Sequence, residues 1–157
     1  MKNKFMQEAL LKAKDAYAIG EVPVGAVVVK NGIIISRVHN LRETERNPLY
    51  HAEILAIDSA CKIIGDWRLS DCDLYVTLEP CAMCAGAIVQ ARFRRLYFGA
   101  FDKSSGMIMS SGSYLDNPNL PYKTEYYGGI MEDECTHIIE KFFKETRNKA
   151  IKTNINI

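Results

Sequence analysis

Asp73-Leu74-Tyr75-Val76-Thr77-Leu78-Glu79-Pro80-Cys81-Ala82-Met83-Cys84-Ala85-Gly86-Ala87-Ile88-Val89-Gln90, with Arg95-Leu96-Tyr97-Phe98-Gly99 beyond it, decides the fold. Asp73 to Leu78 is an apolar, β-forming run of the kind a buried strand requires, and Glu79-Pro80 stops it. Cys81 to Gln90 is rich in alanine and other small apolar residues, as suits a helix packed closely on a sheet. Arg95 to Phe98 is a second strand, which Gly99 is expected to end. A helix between two strands implies parallel pairing through a right-handed crossover.

Working back toward the N-terminus, Val24 to Lys30, Asn31-Gly32 and Ile33 to Arg37 form a β-branched run, a turn suited to positive φ, and a second β-branched run. That pattern is a hairpin. Phe5, Met6, Ala9, Leu10, Ala13 and Tyr17 recur at helical spacing before Gly20, and Ala52, Leu55, Ala56, Cys61 and Ile64 do so between His51 and Gly65. Toward the C-terminus, residues 100–121 read as a long functional loop or irregular helix. Lys123 to Tyr127 is a last strand, and Met131, Cys135, Ile138, Ile139 and Phe142 form the apolar stripe of a last helix. The order is that of an α/β protein with a mixed sheet, the hairpin antiparallel and the later strands parallel. Residues 1–150 are read as one domain and residues 151–157 as a polar tail.

The 157 residues suffice for a sizeable core, and 48% hydrophobic with 25% charged residues excludes disordered, collagen-like and coiled-coil chains. Twenty Lys and Arg against nineteen Asp and Glu leave a charge of +1, so any basic face must be local. The N-terminal stretch carries charge throughout and no apolar run approaches the roughly 18 residues of a membrane span, so the expected address is the cytoplasm, with no membrane partner. Thiols stay reduced there, and closely spaced cysteines among the five point to metal or catalysis rather than disulfides.

His51-Ala52-Glu53 opens one helix and Pro80-Cys81-Ala82-Met83-Cys84 opens another, each just after an extended segment. Helix starts at one edge of an α/β sheet converge on a shared crevice. Two thiolates three residues apart on a first turn, with a histidine from the neighbouring helix, make a three-ligand set suited to zinc. The helix N-termini favour the thiolate forms. Three protein ligands leave one tetrahedral position for water, the arrangement of a catalytic rather than a structural site. Glu53 lies within reach of that position without being a ligand, so it is assigned proton transfer. Cys61, Cys72 and Cys135 are read as small core hydrophobes.

The H-x-E…P-C-x-x-C pattern resembles that of the zinc-dependent nucleobase deaminases. Within that superfamily the chain most resembles the bacterial tRNA-specific adenosine deaminases over about residues 5 to 147. The likeness also rests on Gly20-Glu21-Val22-Pro23-Val24-Gly25-Ala26, His39-Asn40, Trp67-Arg68-Leu69, Thr77 to Ala87, Phe98-Gly99-Ala100 and Phe142-Phe143-Lys144-x-x-Arg147. The resemblance implies a three-layer cytidine deaminase-like fold, with a mixed five-stranded sheet between helices. It implies hydrolysis of the wobble adenosine of a tRNA anticodon loop to inosine, by a homodimer with one zinc per subunit whose site draws on both subunits.

Residue by residue, it implies His51, Cys81 and Cys84 as zinc ligands, Glu53 as proton shuttle, Asn40 and the Ala52 N–H as base contacts, Val24 as an apolar wall and Asp102 as a ribose contact. Lys144 and Arg147 would meet RNA. Tyr50 before His-Ala-Glu, Phe101, the turn Lys103-Ser104-Ser105-Gly106 and Pro121-Tyr122 depart from the family's usual pattern, and all belong to loop-contact regions. Two rival readings share the zinc motif: a deaminase of free bases or nucleosides, and a non-catalytic zinc-stabilised RNA-binding module.

Overall fold

The computed structural model of the protein describes residues 2–155. Its elements in chain order are α1 (Lys4–Ala18), β1 (Gly25–Lys30), β2 (Ile33–His39), α2 (Ala52–Ile64), β3 (Cys72–Leu78), α3 (Ala82–Gln90), β4 (Arg95–Ala100), β5 (Glu125–Tyr127) and α4 (Glu132–Ile155), with a single 3₁₀ turn at Tyr114–Asp116. The sheet order is β2-β1-β3-β4-β5. β1 runs antiparallel to both β2 and β3, whereas β3, β4 and β5 are mutually parallel. The mixed five-stranded sheet expected from the sequence is the one observed.

The hairpin turn is explained by two residues, since Asn31 and Gly32 take φ of 51° and 76°, the left-handed pair that matches the twist of the flanking strands. Gly65 closes α2 in the same region at φ 77°. Asn3 caps α1 by accepting from the Phe5 and Met6 N–H groups, each at 3.0 Å.

Helices cover both faces. On one, Ala52, Ala56 and Ala60 of α2 and Ala85, Ile88 and Val89 of α3 pack on Ala26, Val28, Leu74, Val76, Leu96 and Phe98. On the other, Met6, Ala9 and Leu10 of α1 and Cys135 of α4 cover Val27, Val29 and Tyr75. β1 and β3 are therefore buried on both sides, which is why they read as continuous apolar runs. The deepest positions of α2 are its alanines; Leu55, Cys61 and Ile64, expected in the stripe, are only half-buried.

Two boundaries differ in an instructive way. β4 does not stop at Gly99 but continues to Ala100, and Gly99 is a packing position: a Cβ there would overlap the Cys135 Sγ and lie 2.9 Å from the Thr77 carbonyl oxygen. α4 runs to Ile155, so residues 151–155 of the expected 151–157 tail are helical, and 156–157 lie outside the described residues.

Gly25 is a tighter case. A Cβ there would overlap the Ala9 carbonyl oxygen and stand 2.5 Å from the Ala13 nitrogen, so the backbone of α1 would have to move. Gly25→Ala is expected to cost about 3 kcal/mol, the upper end of overpacking penalties, read in a thermal melt as a midpoint lowered by roughly 6–12 °C.

Candidate active site

The strand pairing brings four chain segments to one edge of the sheet. Gly25 begins β1 opposite His39, the end of β2, while Leu78 and Ala100 end β3 and β4 side by side. His51 and Cys81 are the N-cap residues of α2 and α3 and open onto the same edge. A cleft of about 740 Å³ lies there, walled by Val24, Asn40, His51, Ala52, Glu53 and Asp102 among others.

His51, Cys81 and Cys84 form the one cluster among the described residues whose side chains could hold a metal ion, their ligand atoms all within 4.8 Å of one another. His51 Nδ1 is 3.7 Å from Cys81 Sγ and 3.5 Å from Cys84 Sγ. Zinc bonded to nitrogen at about 2.0 Å and to sulfur at about 2.3 Å in a tetrahedron would set these atoms about 3.6 Å apart. The observed spacing and the donor set both fit that ion. The ionisation pattern sets Cys81 apart from the other thiols, so of the two thiolates expected at this helix start only Cys81 is favoured by its own surroundings. Hydrogen bonds from Cys84 and His51 bring Cys81 down to about 4, whereas burial pushes Cys72 and Cys135 up to about 12. Cys84, hydrogen-bonded to Cys81 and buried, is pushed upward, and His51 is raised by its hydrogen bond to Cys81. All five cysteines are free thiols, and Cys61, Cys72 and Cys135 lie outside the cluster.

Glu53 is 4% exposed on the first turn of α2, and burial raises its carboxyl above the usual range. A buried carboxyl with a raised pKa in a cleft is a candidate for proton transfer. The ladder of α2 begins with Leu55 N–H donating to the His51 carbonyl at 3.1 Å, so the Ala52 N–H is free of it.

Asn40 is buried in the cleft wall with its amide already oriented. Nδ2 donates to Glu21 Oε2 at 3.4 Å and to the Val22 carbonyl at 3.3 Å, while Oδ1 accepts from the Arg42 N–H at 3.1 Å. The last bond forms a turn after the hairpin, and that turn places the amide in the cleft wall. The two donor contacts are long, and an incoming ring acceptor would displace them cheaply. Asp102 accepts from the Ser104 N–H (3.0 Å) and hydroxyl (2.7 Å) and from the Ser105 N–H (3.2 Å) and hydroxyl (2.6 Å), which shapes the departing 103–106 turn. Phe101 turns edge-on against Phe98, centroids 5.2 Å apart, and joins the cleft wall.

Two anchoring residues were not singled out from spacing. Glu21, 1% exposed, accepts from the Thr44 N–H (2.6 Å) and hydroxyl (2.8 Å) as well as from Asn40, and Glu79, 2% exposed, gathers the backbone of the 102–110 loop. Burial works against both carboxylates, but the converging donors more than offset it and hold them below the usual range. The available signal was an acid set between apolar residues in each of the segments Gly20 to Ala26 and Thr77 to Ala87. Lys144 and Arg147 are exposed on α4 and are not part of the cleft lining, to which α4 contributes Glu132, Thr136, Ile139, Glu140 and Phe143.

A family model described as MafB19-like deaminase matches residues 1–154. A tRNA-specific adenosine deaminase of Bacillus subtilis is 49% identical over 153 residues, covering 98% of this chain and 95% of that protein. One of Rickettsia bellii is 46% identical over 145 residues, covering 91% of this chain and all of its own length. A solved structure from work on A-to-I editing by tRNA:A34 deaminases at the wobble position of transfer RNA superposes with a TM-score of 0.83 at 43% identity, covering 85% of this chain and 97% of that one. A guanine deaminase structure from Bacillus subtilis gives a TM-score of 0.61 at 31% identity, covering 94% and 95%.

Proposed function

The chain belongs to the MafB19-like deaminases and, within them, to the tRNA-specific adenosine deaminases, and from that premise we propose that it hydrolyses the wobble adenosine of a tRNA anticodon loop to inosine and ammonia. The observation that carries the reading is the buried Glu53 beside the His51, Cys81 and Cys84 cluster at the base of one cleft.

His51, Cys81 and Cys84 would hold one zinc ion per subunit, which supplies the Lewis acidity that brings water to hydroxide near neutral pH. Glu53 takes the proton released as oxygen bonds to carbon 6 of the purine and delivers it to the ring nitrogen. It then carries a second proton from the new hydroxyl to the amino group, whose bond to carbon breaks as ammonia leaves. Asn40 and the Ala52 N–H orient the ring edge, and Val24 packs against its face. Asp102 meets the ribose once its serine contacts yield. The anticodon loop presents unpaired bases, so extrusion costs less than from a duplex.

The cleft mouth holds Asp102, Glu132 and Glu140 against Arg42 and Lys103, so it admits a base and ribose more readily than phosphates. The backbone is left to basic residues farther along α4, Lys144 and Arg147 among them. Replacing both by alanine should raise KM for an anticodon stem-loop, leave saturating turnover unchanged, and flatten the log KM against log salt slope by about 0.7 per lost phosphate contact. An unchanged salt slope would remove these residues from the RNA path.

A homodimer in the cytoplasm is the working form under this reading, and exposed Leu49, Ile63 and Met109 supply apolar surface for a subunit contact. No helix among the described residues is long and apolar enough to cross a membrane. The likeness to a guanine deaminase favours a second reading, deamination of free bases. Zinc-loaded protein given an anticodon stem-loop and free bases in parallel separates the two. Inosine in the stem-loop with ammonia release is expected; activity confined to free bases would overturn the tRNA reading. Zinc and RNA binding without ammonia would indicate a binding module.

A further inference from the structure

We propose that Glu79 is the positioning residue for the substrate-facing loop, locking residues 102–110 onto the cysteine turn so that this chain grips its polynucleotide substrate. The inference rests on the proposed reaction and assigns a residue that the reaction itself does not use.

Glu79 follows the last residue of β3 and precedes Pro80-Cys81. Its Oε1 accepts from the N–H groups of Ile108 (3.1 Å), Met109 (2.7 Å) and Ser110 (2.9 Å), and its Oε2 accepts from the Asp102 N–H (3.0 Å) and the Ser110 hydroxyl. Its own N–H donates to the Ala100 carbonyl at 2.8 Å, and the Pro80 carbonyl accepts from Met107 at 2.9 Å. Three consecutive amides and both ends of an otherwise ladder-free loop thus depend on one buried carboxylate. Buried N–H groups in such a loop need an acceptor.

A carboxylate offers about four lone-pair sites. Five donors exhaust them, so Glu79 has nothing left for a proton, a metal or a substrate. Its effect must pass through what it holds. Asp102, Lys103, Ser104 and Ser105 on that loop wall the cleft mouth, while Glu53 and the metal-binding cluster stand on other elements. Displacing the loop should therefore weaken capture of the stem-loop and spare the chemical step.

Glu79→Gln keeps the shape but turns an amide N–H toward the Asp102 N–H, which cannot accept. Gly106→Ala reaches the same contact from the other side, since a Cβ there would overlap the Glu79 carboxylate and stand 2.6 Å from the Asp102 carbonyl oxygen. For each, KM for an anticodon stem-loop should rise about tenfold, with kcat within about threefold, the metal retained, and amide exchange accelerated at residues 108–110. The double variant should be no worse than the more damaged single one, because both break one contact.

Unchanged KM and unchanged exchange in folded Glu79→Gln protein would overturn the proposal. So would loss of metal and kcat at constant KM, which would assign Glu79 to the cysteine turn alone. A wild-type protein that makes no inosine refutes the reaction instead, and amide exchange then decides the anchor by itself.

Discussion

Glu53→Ala should lower turnover of an anticodon stem-loop by about 10²–10⁴-fold, the range that a positioned general acid–base group contributes, while the purified protein keeps its full zinc content. The two readouts separate because Glu53 stands outside the cluster of His51, Cys81 and Cys84 whose atoms could close on a metal. Glu53→Gln tests the same point with the shape preserved and should lose as much activity. Stability moves the other way. Burial raises the folded carboxyl, so its ionised form costs the folded state stability as pH climbs from the unfolded value through the folded one. Above that window Gln removes the cost, and in metal-free protein the variant's melting temperature should be no lower than wild type. Near wild-type single-turnover deamination by either variant would end the proton-transfer assignment; loss of zinc would make Glu53 part of the metal site.

What was legible in the sequence was local. Asn31-Gly32 announces its turn because both residues need positive φ, and Gly65 announces the end of α2 for the same reason. Cys81 and Cys84 fall on one helical turn by spacing alone. His51 is different, since 30 residues separate it from Cys81, and only the strand order and the family pattern bring it there. The feature read otherwise, Gly99, and the loop whose internal order was not legible both depend on distant partners. Gly99 looks like a strand end until Cys135 of α4 is seen packed on it. Residues 100–121 show no periodicity because Glu79 organises 102–110 across separations of 23 to 31 residues. Asn40 is read as a base contact through the family likeness with a turn role as the alternative, and its bonds to Arg42, Glu21 and Val22 supply the turn that places the amide in the cleft wall.

Cys84→Ser should remove metal and activity together. Cys84 is fully buried with its sulfur 3.5 Å from His51 Nδ1, so no neighbouring water-exposed group can replace it. A serine oxygen sits closer to its own backbone and keeps its proton at neutral pH, whereas a zinc ligand must be deprotonated. The expected loss of zinc affinity exceeds the roughly 10–100-fold typical of residues that only support a ligand, and metal analysis after dialysis should find the variant essentially zinc-free. Cys61→Ser, Cys72→Ser and Cys135→Ser form the internal control. The last two lose stability because each hydroxyl is buried, yet all three should keep the metal, since their sulfurs lie outside the cluster. A chelator should reproduce the Cys84→Ser phenotype in wild type, with activity restored by added zinc. Full zinc occupancy in Cys84→Ser, or zinc loss in the three controls, would refute the ligand set, because the trio's geometry leaves no fourth thiol near enough to substitute.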